Sequence, residues 1–187
     1  MRKLFLFDCF GVVVSEVSSL WLGRHCDEAQ MQYARKEIFR KLDTARISHS
    51  EMYEQLAAMV GTTKQAIIDE WDTLACVKQE TIEVIKRIRA RGDAVALLSN
   101  ASVEYIDYLF TRFDLYKYFD KIFVSARYGY AKPDREFYQI CLDGFTEKFD
   151  KIYFTDDNPV NLCNLEEMGI TPILFTTAEE FEKQIKE

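Results

Sequence analysis

Short apolar runs recur along this chain, and three of them end on side chains able to do chemistry. "LFLFDCFGVVV" runs from Leu4 to Phe7 straight into Asp8, "AVALLSN" ends on Ser99 and Asn100, and "KIYFTDD" ends on Asp156 and Asp157. Two further runs, "KIFVSA" and "TPILF", have the same length and character. Between the runs lie amphipathic stretches such as "TIEVIKRIRARG", "VEYIDYLFTRF", "DREFYQICLDGF" and "VNLCNLEEMG", read as helices, and "AEEFEKQIK" closes the chain. Strand–helix alternation predicts an α/β fold with a Rossmann-like parallel sheet and helices on both faces.

From about Ser15 to Leu74 the pattern is helical throughout. Leu20, Trp21, Met31, Tyr33, Ile38, Phe39 and Leu42 recur at helical spacings. Ser48 or Ser50 is the expected cap of one helix, Gly61 its stop, and Thr62 or Thr63 the cap of the next. The reading is a small α-helical cap over residues 15–77, inserted after the first strand into a core of residues 1–14 and 78–187.

Parallel strands bring their C-terminal ends to one sheet edge, so Asp8, Ser99, Asn100, Asp156 and Asp157 should converge there. "YGYAKPD" follows the third strand and adds Lys132, with Pro133 stiffening the turn. This set suits phosphoryl transfer to a carboxylate. Two unit charges 4 Å apart repel by about 4 kcal/mol at an effective dielectric of 20, so Asp8 can attack a phosphate only if that repulsion is neutralised. Mg²⁺ held between Asp8 and the Asp156/Asp157 pair, together with Lys132, would do so. Ser99 and the backbone N–H groups after Asp8 and Asn100 are donors for phosphoryl oxygens.

The ordered set DxxG, "LLSN", "AKPD" and "FTDDNPVN" resembles the haloacid dehalogenase-like hydrolase superfamily over nearly the whole chain. Its helical-cap branch, including sugar-phosphate phosphatases, is the part resembled most. The resemblance implies Asp8 as nucleophile, Ser99 as phosphate ligand and Lys132 as the neutralising cation. It further implies Mg²⁺ on Asp8, the Phe10 carbonyl and Asp157, with Asp156 in the same or the next shell. Phe10 departs from it, because phosphatases of the superfamily carry an acid/base Asp there.

Three readings follow from Phe10. The first is a Mg²⁺-dependent phosphatase of a small phosphorylated metabolite with a good leaving group, His25 or water serving as donor. The second is a 2-haloacid dehalogenase, since halide leaves without a proton and such enzymes carry an aromatic residue at this position. The third is a catalytically weak phosphate-binding or regulatory protein. Metal-free dehalogenation would leave Asp156 and Asp157 as like charges with nothing to neutralise them, and the complete set of groups favours turnover over mere binding, so the phosphatase is preferred.

Among cap residues Arg46, in the "LDTARIS" connection, is the first candidate for reading the substrate. Trp21 reads as bundle core, and His25 and His49 as surface or capping residues. Asn161, one turn past Asp157, reads equally as an orienting residue or a surface one. A formal charge of -7 argues against nucleic acid or an anionic membrane as partner. The first apolar run is too short for a signal peptide or membrane span, and five scattered cysteines suit a reduced cytoplasmic setting. The sequence sets no oligomeric state.

Overall fold

A computed structural model describes residues 2–185. Five parallel strands, β1 (Lys3–Phe7), β2 (Ala94–Ser99), β3 (Lys121–Val124), β4 (Lys151–Asp156) and β5 (Ile170–Leu174), lie in the order β3-β2-β1-β4-β5. The order reverses around β1, so the crevice beyond its C-terminal end is the switch point where open sheets bind ligands. Helices α6 (Gln79–Ala90), α7 (Val103–Arg112), α8 (Arg135–Asp143) and α9 (Ala178–Ile185) connect or follow the strands.

The segment after β1 forms α1 (Val17–His25), α2 (Glu28–Tyr33), α3 (Arg40–Asp43), α4 (His49–Val60) and α5 (Lys64–Leu74), with a π-helical stretch, Ala34–Phe39, joining α2 to α3. Ser48 caps α4 in a reciprocal box with Glu51, Gly61 ends it at φ 73°, and Thr63 caps α5. One apolar cluster runs from Phe5 and Phe7 on the sheet through Trp21, Met52 and Trp71 in these helices; a second, around Leu4, Leu6, Phe137 and Phe154, fills the opposite face.

The chain enters and leaves this helical insertion side by side. Val14 and Val77 form an antiparallel bridge, the Ser15 N–H donates to the Cys76 carbonyl (2.9 Å), and the Lys78 N–H donates to the Val13 carbonyl (2.9 Å).

One expected helix is absent. Residues 160–169 form two short 3₁₀ turns, Pro159–Leu162 and Glu166–Met168, instead of "VNLCNLEEMG" as a single helix. Asn164 between them takes φ 61°, a left-handed conformation that breaks the helical path.

Candidate active site

The strand ends meet as expected. Asp8 continues β1, its N–H donating to the Thr155 carbonyl (3.0 Å). Its Oδ1 accepts from the Cys9 N–H (2.6 Å) and faces Lys132 Nζ (2.7 Å). Lys132 also bonds Asp156 Oδ2 at 2.7 Å, and all three residues are buried, at 7% exposure for Asp8, 3% for Lys132 and 0% for Asp156. Asn100 fixes the lysine's backbone from both sides, its Oδ1 accepting from the Lys132 N–H (2.8 Å) and its Nδ2 donating to the Lys132 carbonyl (3.0 Å). Asn161 proves to be an orienting residue, donating to both Asp156 oxygens (3.1 and 3.0 Å), and the Asn158 N–H adds a bond to Oδ1 (2.8 Å). Asp156 thus accepts from three donors and serves as the anchor of Lys132.

Burial, followed by the charge of Asp156, pushes the Asp8 carboxyl well above its ordinary range, while Lys132 pulls the other way. Burial alone would lower the Lys132 ammonium, but Asp8 and Asp156 outweigh it and raise its pKa. Asp157 is pushed up to about 6 by burial, with Glu16 and Asp156 adding to it.

Asp8, Asp156 and Asp157 bring one carboxylate oxygen each within 4.8 Å of one another. Three carboxylates against one ammonium leave a deficit of two positive charges, which a divalent cation with oxygen ligands fits. The backbone turn at Cys9–Val14 is closed by the Val13 and Val14 N–H groups on the Cys9 carbonyl and by Gly11 N–H on the Val14 carbonyl, so the Phe10 carbonyl stays outside these bonds. Gly11 lies against Asp157. A Cβ there would sit 2.0 Å from Asp157 Oδ2, and the residue's φ is 79°. Gly11→Ala is therefore expected to displace Asp157 and weaken Mg²⁺ binding at least ~10-fold in isothermal titration, besides the ~1–2 kcal/mol cost of a left-handed alanine. Affinity within twofold of wild type would detach Gly11 and Asp157 from cation binding.

Above these groups opens a cleft of about 310 Å³, within the size range of small-molecule sites. Its floor carries Asp8, Lys132, Asp157 and Asn161, and its walls include Phe10, Phe39, Leu42, Met52, Trp71 and Tyr105. Phe10 stacks on Tyr105 (6.0 Å between centroids, 9° between planes), which stacks in turn on His49 (4.8 Å, 20°). Burial pushes His49 down to about 4, so its ring is neutral at neutral pH.

Ser99 is fully buried at the end of β2, and its hydroxyl has no hydrogen-bond partner; the neighbouring Asn100 and Ala101, not Ser99 itself, line the cleft. Neither Ser99 nor Asn100 caps α7, because Ser102 does. Arg46 is corrected: it is exposed and does not line the cleft. The helix ends at Asp43, Ala45 turns the chain at φ 56°, and the Arg46 N–H folds back to the Lys41 carbonyl (2.8 Å). His25 and Arg24 both pair with Glu70 (2.6 and 2.9 Å) away from the cleft, and Trp21 is bundle core. The insertion residues that do face the cleft include Glu16, Arg35, Asp43 and His49. Leu42 and Asp43 lie three and four residues after Phe39, itself four after Arg35, the spacing of one helix face, and this spacing is the signal in the sequence.

Residues 2–169 match the family of haloacid dehalogenase-like hydrolases. The chain is 31% identical over 160 residues to drimenol cyclase drtB of Aspergillus calidoustus, covering 82% of this chain and 30% of that much longer protein. It is 24% identical over 143 residues to sesquiterpene phosphatase astK of Aspergillus oryzae, covering 75% of this chain and 73% of that one. Among solved structures, a HAD family enzyme from Bacteroides thetaiotaomicron superimposes with a TM-score of 0.79 at 19% identity, over 100% of this chain and 99% of the other. The match over residues 2–169 makes this chain a member of the haloacid dehalogenase-like hydrolases.

Proposed function

We propose that this hydrolase is a Mg²⁺-dependent phosphatase that cleaves a small phosphate monoester with an apolar leaving group through an aspartyl phosphate on Asp8. The observation that carries the reading is Asp8 itself: one oxygen is held by Lys132 and the Cys9 N–H at the cleft floor, and no hydrogen bond is formed by the other among the described residues. That free oxygen is the nucleophile. Mg²⁺, when bound by Asp8, Asp157 and the Phe10 carbonyl, would supply the charge that lets a phosphate dianion approach a carboxylate. Lys132 adds a fixed positive charge, and Asp156 with Asn161 and Asn100 keeps that lysine in place. Ser99, whose hydroxyl is buried without a partner next to the cleft-lining Asn100, remains the proposed hydrogen-bond donor to the phosphoryl group, provided substrate binding opens the way to it.

The aromatic and aliphatic part of the cleft wall, from Phe10 to Trp71, offers room for an apolar leaving group beside the polar lining, and the likeness to a sesquiterpene phosphatase supports choosing that class. The test is phosphate release from aryl, prenyl and sugar phosphates, with Mg²⁺ and with EDTA, beside halide release from a 2-haloacid. Expected is Mg²⁺-dependent hydrolysis with kcat/KM at least ~10-fold higher for the apolar esters. Equal rates in EDTA, faster sugar phosphates, or halide release without phosphate release would each overturn it.

A further inference from the structure

Phe10 leaves the nucleophile's own loop without a proton donor. Of the titratable groups elsewhere that face the cleft, Asp157 is assigned to the cation, Lys132 is held between Asp8 and Asp156, and Arg35 stays charged, which leaves Glu16, His49, Tyr105 and Asp43. Glu16 is anchored to the start of α1 through Oε1, which accepts from the Ser18 hydroxyl (2.5 Å) and the Ser19 N–H (3.3 Å), so its side chain is committed to capping that helix. Both ring nitrogens of His49 are engaged, Nδ1 with the Ser102 hydroxyl (2.9 Å) and Nε2 with the Tyr53 hydroxyl (3.0 Å). Burial raises the Tyr105 phenol, making it a weaker acid still. Asp43, the last residue of α3, is half-buried, and among the described residues its carboxyl makes no hydrogen bond or ion pair.

We propose that Asp43 is the general acid and base of the reaction, replacing from the helical insertion the carboxyl that Phe10 lacks. The assignment rests on the phosphatase reading above. In the first step a bond forms from Asp8 to phosphorus and the ester P–O bond breaks. The electron pair stays on the leaving oxygen, which takes the Asp43 proton. In the second step water bonds to phosphorus, the Asp43 carboxylate takes its proton, and the bond to Asp8 breaks with the pair returning to the carboxylate. The products are the alcohol and orthophosphate.

The surroundings hold Asp43 where both halves of this cycle work. Burial pushes its carboxyl up to about 7; Lys132 and Arg40 pull it down, and Glu16 opposes them. Arg40 is already paired with Asp134 (2.5 Å), so its pull is shared. The π-helical stretch packed against α3 adds Arg35, Lys36 and Glu37, the turn at 125–127 adds the exposed Arg127, and Asp8, Asp157 and neutral His49 share the cleft. An acid with a pKa near the working pH is the efficient choice for proton transfer.

The test compares wild type, Asp43→Asn and Asp43→Glu on p-nitrophenyl phosphate and on an alkyl phosphate of similar size across pH 5–9. A protonated Asp43 is needed for leaving-group departure, so wild-type kcat on the alkyl ester should fall as pH rises through about 7. Asp43→Asn should lower alkyl turnover about 10²–10⁴-fold, lower aryl turnover by less than ten-fold, and erase that alkaline limb. Asp43→Glu should restore part of both. Equal losses on the two esters, no loss on either, or an unchanged limb would overturn the role of Asp43 alone. Wild type that hydrolyses neither ester with Mg²⁺ would overturn the phosphatase reading and this assignment together.

Discussion

Asp8→Asn is expected to abolish phosphate release, by at least ~10⁴-fold, the order of loss when a covalent nucleophile is removed. An amide cannot form the acyl phosphate, yet it keeps the side chain's volume and can still accept from the Cys9 N–H. Lys132 retains Asp156 as its counterion, and the substitution removes a carboxyl whose charged form burial and Asp156 disfavour. The melting temperature should therefore stay within a few degrees of wild type, and beryllium trifluoride, a mimic of the phosphoryl group on a carboxylate, should bind wild type only. Turnover in Asp8→Asn within a few-fold of wild type would exclude an aspartyl phosphate.

Lys132→Met should cost both stability and activity. Removing one partner of a buried ion pair leaves uncompensated charge, typically at ~3–5 kcal/mol, and here two carboxylates, Asp8 and Asp156, lose their shared cation. The sign with pH follows from the direction of the Asp8 shift. Its pKa in the folded protein already lies above the unfolded value near 3.8 and rises further without the lysine, so the folded variant holds protons that the unfolded chain has released. Its stability then falls as pH rises from the ordinary carboxylate range through the raised folded value. Urea unfolding at pH 5 and pH 8 should show the larger deficit at pH 8. A deficit below ~1 kcal/mol at both would mean that Lys132 is not the counterweight of these acids.

Much of the site could be read from the chain because strand ends are set locally. Leu4–Phe7 and Ile152–Phe154 are apolar runs too short for helices, and parallel pairing then places Asp8 and Asp156 side by side. The caps at Ser48 and Thr63 are equally local. Arg46 and Asp43 show where such reasoning stops. They are three residues apart in one connection, and only the turn at Ala45, φ 56°, decides which of them faces the cleft. His49 looked like a capping residue because its neighbour is the cap; its place against Tyr105 and Ser102 depends on how α4 meets α7. The lost helix at 160–169 has an internal cause. Its apolar spacing was helical, but Asn164 prefers a left-handed turn to one more helical residue.

The paired segments at 13–15 and 76–78 have a mechanical meaning. Ser15 and Cys76 are 61 residues apart, yet they share two hydrogen bonds, so both chain connections between the helical insertion and the core run through one ribbon. The first leg of that ribbon is tied by the Val13 and Val14 N–H groups to the carbonyl of Cys9, the residue whose own N–H holds Asp8. A shift of that ribbon at Val13 or Val14 is therefore passed by hydrogen bonds to the peptide unit next to Asp8.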